Sequence, residues 1–184
     1  MRWNVVTLAE VAASPWRNGG GVTRELLAWP AVADWELRVS VADIASDGPF
    51  SAYPGIERWF AVLEGGAVRL RVGQDEHTLD ADSAPLRFDG AAPVDCRVAA
   101  DGTRDFNLMA PPGRALLRRT AGPQRFEPQV PAIVGVYVHA NAAQVACGPA
   151  AADLRPGSFA WLQTEGPASV QLQATQALWI EFRL

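Results

Sequence analysis

The segment "RNGGGVTRE", Arg17 to Glu25, gathers groups that could do chemistry. Its glycines allow a ligand close to the backbone. Asn18 adds an amide that donates and accepts, and Thr23 and Glu25 follow at alternate positions. Three uses suit such a stretch: a phosphate-cradling loop, a plain tight turn, or the wall of some other pocket. A phosphate loop needs Gly-x-x-x-x-Gly-Lys-Ser/Thr, or Gly-x-Gly-x-x-Gly between a strand and a helix. Here the glycines lead into the strand-like "VTRELLAWP", and all 16 basic residues of the chain are arginine. Nucleotide binding fails on that context. A turn remains, or a wall made by Asn18 and the backbone amides of Gly19 and Gly20, with Thr23 and Glu25 facing it.

The missing lysine also removes Schiff-base and lysine-base mechanisms. What remains is arginine, whose planar fork matches a carboxylate bidentately. Arg38 and Ser40 alternate with Leu37, Val39 and Val41 in "WELRVSVADI", so they share the minority face of a strand whose other face is apolar. That face either meets solvent or lines a barrel mouth, where Arg38 could hold a carboxylate. Glu25 either orients an arginine or accepts from a ligand amine. Asp105 and Asn107 share a face in "RDFNLM", and Asn107 either hydrogen-bonds a ligand or ties down a neighbouring strand. No serine sits in a Gly-x-Ser-x-Gly elbow with a partnered histidine, and no carboxylate pair stands in a glycosidase-like setting.

These residues need a scaffold, and composition bounds it. The chain has 184 residues, 49% hydrophobic and 20% charged, enough for one domain or two small lobes. A net charge of −4 gives no electrostatic case for nucleic acid or an anionic membrane. Cys96 and Cys147 fit no metal or redox spacing and read as buried, reduced thiols. "MRWNVVTLAE" lacks the apolar run of a signal peptide and no segment suits a membrane span, so a cytoplasmic location is expected. The sequence does not fix the oligomeric state; a homodimer stays open.

Helix signals are scarce. Thr7 with Glu10 three residues on forms a capping-box pattern, which Pro15 stops after a turn or two. Elsewhere the period is two. "RWFAVLEGGAVRLRV" reads as a hairpin turning at Gly65-Gly66. "APVDCRV", "DFNLMA", "AIVGVYVHA", "AAQVACG", "GSFAWLQ", "ASVQLQA" and "ALWIEFRL" read as further strands. The expectation is an all-β chain with very little helix. "HTLDADSAPLRF" (77–88) and "ADLRPGSFAWL" (152–162) form a faint repeat, each following a hairpin pattern. The proline- and arginine-rich stretch 110–129 reads as a crossover between two similar lobes.

The run "VLEGGAVRLRVGQDEHTLDADSAPLRF" resembles the cupin jelly roll. More specifically, "WRNGGGVTRE", "WELRVSVADIASDGPFSAYPGIERWFAVLEG" and "TRDFNLMA" occur in order and resemble the HutD/Ves family. The resemblance covers most of Ser14 to Ala110 and extends more loosely over 111–184. It implies a bicupin-like fold, with a cupin-like lobe at 1–110 carrying the pocket and a second at 111–184 packed with it as one unit. Cupins commonly hold a metal with a His-x-His pair, a later Glu and a third His. Counting back from Gly65, the resemblance places Ser51 and Tyr53 at the His-x-His pair and Arg58 at the Glu, with the third His near Pro93. Neither His77 nor His139 fills such a place, so no metal and no other cofactor is expected. Arg58, Ser51 and Tyr53 would instead turn a cation site into an anion site.

The resemblance further implies an association with bacterial histidine utilisation. The function expected from it is binding of a small carboxylate, as a sensor or sequestering protein, with N-formylglutamate and urocanate as candidates. The competing expectation is a metal-independent isomerase or hydrolase, with Glu25 as base and Tyr53 or Arg58 as electrophile. No nucleic-acid or membrane partner is expected.

Overall fold

The computed structural model describes residues 1–99 and 101–184. The chain is all-β, as expected. It runs β1 (Asn4–Thr7), one 3-10 turn (Leu8–Glu10), β2 (Ser14–Pro15), β3 (Gly21–Trp29), β4 (Leu37–Ile44) and β5 (Gly48–Pro49). Then come β6 (Glu57–Gly65), β7 (Val68–Val72), β8 (Asp75–Leu79), β9 (Leu86–Asp89), β10 (Val94–Val98) and β11 (Thr103–Ala110). The remainder is β12 (Ala115–Ala121), β13 (Gln124–Phe126), β14 (Ala132–Val138), β15 (Ala143–Cys147), β16 (Ala150–Leu154), β17 (Ser158–Thr164), β18 (Val170–Ala174) and β19 (Gln176–Arg183). No helix among the described residues is long and apolar enough to cross a membrane.

The chain divides into two units, Ala12–Gly113 and Met1–Val11 with Arg114–Leu184. The first eleven residues belong with the later strands because β1 pairs antiparallel with β17, Asn4 opposite Trp161 and Thr7 opposite Ser158. Within Ala12–Gly113, one sheet has the order β2-β3-β4-β11-β6-β9 and a second the order β5-β10-β7-β8. In the other unit the orders are β1-β17-β14-β19-β12 and β13-β18-β15-β16. Reading β6, β11, β4 and β9 onto β14, β19, β12 and β17 makes the two units the same jelly-roll arrangement. The faint sequence repeat is its trace. Each copy runs from the last strand of the smaller sheet, β8 or β16, into a strand of the larger one, β9 or β17.

Gly65-Gly66 is not a hairpin turn. β6 pairs with β11 and β9, whereas β7 pairs with β10 and β8. The glycines turn a corner from one sheet to the other. A Cβ on Gly65, whose φ is +95°, would lie 2.7 Å from the Gly102 carbonyl oxygen, and one on Gly66 would lie 2.3 Å from Ala99 Cβ. Only glycine tolerates both the positive φ and that backbone approach. The capping box is not formed either. Thr7 makes no side-chain cap bond, and Arg155 donates to Thr7 Oγ1 at 3.2 Å and pairs with Glu10 at 2.8 Å. The stretch 110–129, expected as a crossover, supplies β12 and β13, with Leu117 buried in β12.

The core of Ala12–Gly113 sits between its two sheets. Ile44, Phe60 and Val62 from the larger sheet meet Val68, Leu70, Val94 and Cys96 from the smaller. This is the side of β4 that also carries Arg38 and Ser40, so their face points into the sandwich. Cys96 and Cys147 are free and buried, and burial pushes the Cys96 thiol up to about 12.

Candidate functional site

Three rows of side chains cross the inner face of the larger sheet. Met109 on β11 lies opposite Arg38 of β4 and Arg58 of β6. Two residues earlier on β11, Asn107 lies between Ser40 and Phe60, and Asp105 between Ala42 and Val62. The strand period of two therefore lines up every polar residue of that face on one side. Over these rows lies a cavity of about 740 Å³. Its remaining walls come from Ser14 to Asn18, from Thr23 of β3, and from Pro49, Phe50, Ser51 and Tyr53.

The loop carrying Phe50, Ser51 and Tyr53 is held by backbone bonds. Phe50 N–H donates to the Val94 carbonyl at 2.9 Å and Tyr53 N–H to the Gly90 carbonyl at 2.7 Å. Gly90 N–H donates to the Ile56 carbonyl at 2.7 Å. Beneath the site, on the opposite face, an ion-pair ladder crosses four adjacent strands. Arg24 pairs with Asp43 at 2.7 Å, Arg104 with Asp43 at 2.6 Å, and Arg104 with Glu64 at 2.7 Å. Burial works upward on the Asp43 carboxyl, but the hydrogen bonds from Arg104 and Arg24 hold it below its ordinary value.

Arg58 is the centre of the cavity. It is only 6% exposed, and its guanidinium carbon lies 5.1 Å from the Phe50 ring, 5.3 Å from Phe88 and 5.7 Å from Tyr53. One terminal nitrogen donates to the Ser51 carbonyl and the other to Asn107 Oδ1, both at 3.3 Å. Nε–H, although buried, has no hydrogen-bond partner. Burial lowers the guanidinium to about 10, so it is a cation at neutral pH. Arg38 Nε donates to Glu25 Oε2 at 2.7 Å, and its NH1 donates to the Tyr53 hydroxyl at 3.5 Å. Glu25 is thus the ion-pair partner of Arg38.

Asp105, on the cavity floor, is 0% exposed. Asn107 Nδ2 donates to its Oδ1 at 2.5 Å, and its Oδ2 has no hydrogen-bond partner. Burial pushes this carboxyl up to about 8, against the opposing pull of Asn107 and Arg58. A fully buried carboxylate with one hydrogen bond is unfavourable, so Asp105 is held largely as the neutral acid near pH 7.

Of the residues singled out in the sequence, Asn18, Thr23, Arg38, Ser40, Ser51, Tyr53, Arg58 and Asn107 line this one cavity. Glu25 stands behind Arg38. Gly19 and Gly20 are not among the lining residues. Gly20 N–H donates to Asn18 Oδ1 at 3.0 Å, its carbonyl accepts from Ala45 N–H at 2.9 Å, and Gly19 N–H closes a turn on the Trp16 carbonyl at 3.0 Å. Thr23 Oγ1 accepts from Trp16 Nε1 at 2.8 Å. The triple glycine is thus a turn whose amides serve the fold, and Asn18 is what it presents to the cavity. Gly19 has φ +72°, so Gly19→Ala is expected to cost about 1–2 kcal/mol. Its carboxylate affinity should stay at the wild-type value. Urea unfolding and a ligand titration on the same variant check both halves.

Phe50, Phe88, Trp16 and Met109 complete the site beyond the residues named in the sequence, together with Asp105, which the sequence places on the face of Asn107. Met109 was reachable from its period-two spacing with Asn107. Phe88 was not, since it meets Arg58 only because β9 pairs with β6, Arg58 opposite Phe88. Among the described residues, no group of three or more His, Cys, Asp or Glu side chains could hold a metal ion. A guanidinium with a serine and a tyrosine is no donor set for a divalent cation.

Comparison with known proteins fits this picture. Protein Ves of Cronobacter sakazakii (strain ATCC BAA-894) is 41% identical over 97 residues, 51% of this chain and 52% of that protein. An uncharacterized 21.2 kDa protein in the hutC 3' region of Pseudomonas putida is 38% identical over 103 residues, 54% of each. The chain spans about half the length of the curated relatives it matches. Among solved structures, HutD from Pseudomonas fluorescens SBW25, from a formate condition, superposes with a TM-score of 0.86 at 27% identity, covering 98% of both chains. Lactobacillus farciminis oxalate decarboxylase, as a formate complex, gives 0.67 at 8% identity over 96% of this chain and 84% of that one, a likeness of the cupin fold alone. The HutD family model matches residues 8–180, and the chain belongs to the HutD family.

Proposed function

We propose that this protein binds a small carboxylate in the cavity of Ala12–Gly113 and thereby senses or sequesters an intermediate of bacterial histidine utilisation. Arg58 is the main anchor, Arg38 the second cation, and Asn107, Ser40 and Ser51 the polar surroundings. N-formylglutamate and urocanate are the candidate ligands, and the setting is a cytoplasmic, bicupin-like protein. The observation that carries the proposal is the Nε–H of Arg58, a charged donor that is buried without an acceptor. A ligand carboxylate supplies one, in the strong charge-assisted class. With Arg38 balanced by Glu25 and Asp105 largely neutral, Arg58 is the buried positive charge left uncompensated, and the exposed Arg17 adds a further cation to the cavity lining. The relative in the hutC 3' region and the solved HutD supply the metabolic context.

Glu25 is poorly placed as a catalytic base, since Arg38 already holds its carboxylate. Binding to the native state alone raises the unfolding free energy by mass action, by about 2.7 kcal/mol at a hundred times Kd. A melting-temperature screen of N-formylglutamate, urocanate, glutamate and formate is expected to show stabilisation by at least one of the first two. Equal melting with all four and with chloride would overturn the proposal.

A further inference from the structure

We propose that the cavity binds its anion with a proton held on Asp105, so that wherever this carboxyl is ionised one proton is taken up with the anion. This rests on the carboxylate proposal above. Asp105 is sealed on the cavity floor with one oxygen unpartnered. No arginine pairs with it directly among the described residues. Arg58 reaches it only through Asn107, whose Oδ1 accepts from Arg58 and whose Nδ2 donates to Asp105.

The charged and titratable groups around Asp105 leave Arg58 as the cation that supports its ionised form. On β4, Arg38 is balanced by Glu25 of β3. Asp43, on the same strand, opposes a second negative charge, and its own carboxylate is taken up by Arg24 and Arg104. Cys96 on β10 is a neutral, buried thiol. Between β4 and β5, Asp47 accepts from Val98 N–H, and in the loop before β6 the Tyr53 hydroxyl accepts from Arg38.

A carboxylate placed on Arg58 cancels that one support and adds a negative charge nearby. An ionised Asp105 then captures a proton. By reciprocity, protonating Asp105 strengthens anion binding by the same factor. No bond to the ligand is needed, so Asp105 acts as a positioning residue through Asn107 and Arg58. The proton comes from water, and the carboxylate enters as the anion.

Binding of [13C]formate to the full-length protein, followed by NMR between about pH 6 and pH 9.5, tests this. Formate is itself ionised throughout, so any change belongs to the protein. The Kd is expected to be flat at the acid end and to rise by up to about tenfold per pH unit above the Asp105 midpoint. The Asp105 carboxyl carbon should titrate at a higher pH with formate than without. Asp105→Asn should abolish the slope of log Kd against pH, whatever its absolute affinity. Saturable formate binding that is independent of pH, or an Asp105 midpoint that formate does not move, would overturn the proposal while leaving the carboxylate site intact. No formate binding at any pH would sink both. Should Asp105→Asn fail to fold, the wild-type carboxyl titration decides alone.

Discussion

Arg58→Met is expected to weaken carboxylate binding by about ten- to a hundredfold while the protein still folds. The loss follows from removing a charge-assisted donor worth about 1.5–3 kcal/mol. Methionine keeps most of the apolar stem and places a polarizable sulfur among Phe50, Tyr53 and Phe88, where sulfur–aromatic contact is favourable. The Ser51 carbonyl and Asn107 Oδ1 each lose a donor, so a stability loss of about 1–2 kcal/mol accompanies the lost affinity. Calorimetric titration beside melting curves separates the two effects. Unchanged affinity with lowered melting would mean that Arg58 serves only to hold the loop at Ser51.

The second large effect is on stability. Unfolding free energy should fall as pH rises from about 4 to about 8, by up to about 1.4 kcal/mol per unit from Asp105 alone. The carboxyl is raised from 3.8 to about 8 in the folded protein. Between those values the folded state keeps a proton that the unfolded chain has lost, so acid favours folding. Below the lower value both states hold the proton, and above the upper value neither does. Asp43 works with the opposite sign. Its carboxyl is held below 3.8, so its contribution is present above the ordinary value and is lost as pH falls through the folded one. Urea unfolding of wild type and Asp105→Asn at a series of pH values isolates Asp105 as the difference in slope. Equal slopes in the two proteins would contradict a buried, proton-holding Asp105.

Much of the fold and part of the site were legible from period two. "WELRVSVADI" separated Arg38 and Ser40 from Leu37, Val39 and Val41, and "RDFNLM" put Asp105 with Asn107. Periodicity sorts residues onto two faces but does not say which face is inward. In β4 both are buried or nearly so, with Val39 and Val41 at 0% and Ser40 at 5% exposed. Gly65-Gly66 looked like a hairpin because two glycines between apolar runs are the usual local signal of one. The outcome was decided by β11 and β10, distant strands that claim β6 and β7 separately. The triple glycine was ambiguous for a similar reason. Its positive φ at Gly19 and the bond from Gly20 to Asn18 depend on the turn that β2 and β3 close. Nor does spacing reveal that Asp105 reaches Arg58 only through Asn107, since that depends on the side-chain positions of a diagonal pair across β11 and β6.

The central claim is that a carboxylate completes the unpartnered Nε–H of Arg58, and its most direct test is that proton's resonance. In 15N-labelled protein, with the signal assigned by its loss in Arg58→Met, the Arg58 Nε–H correlation is followed during a formate titration at about pH 6.5. The expected result is a downfield shift that saturates with the same Kd as the [13C]formate signal. Saturable formate binding with the Arg58 Nε–H unmoved would place the carboxylate elsewhere and contradict the account.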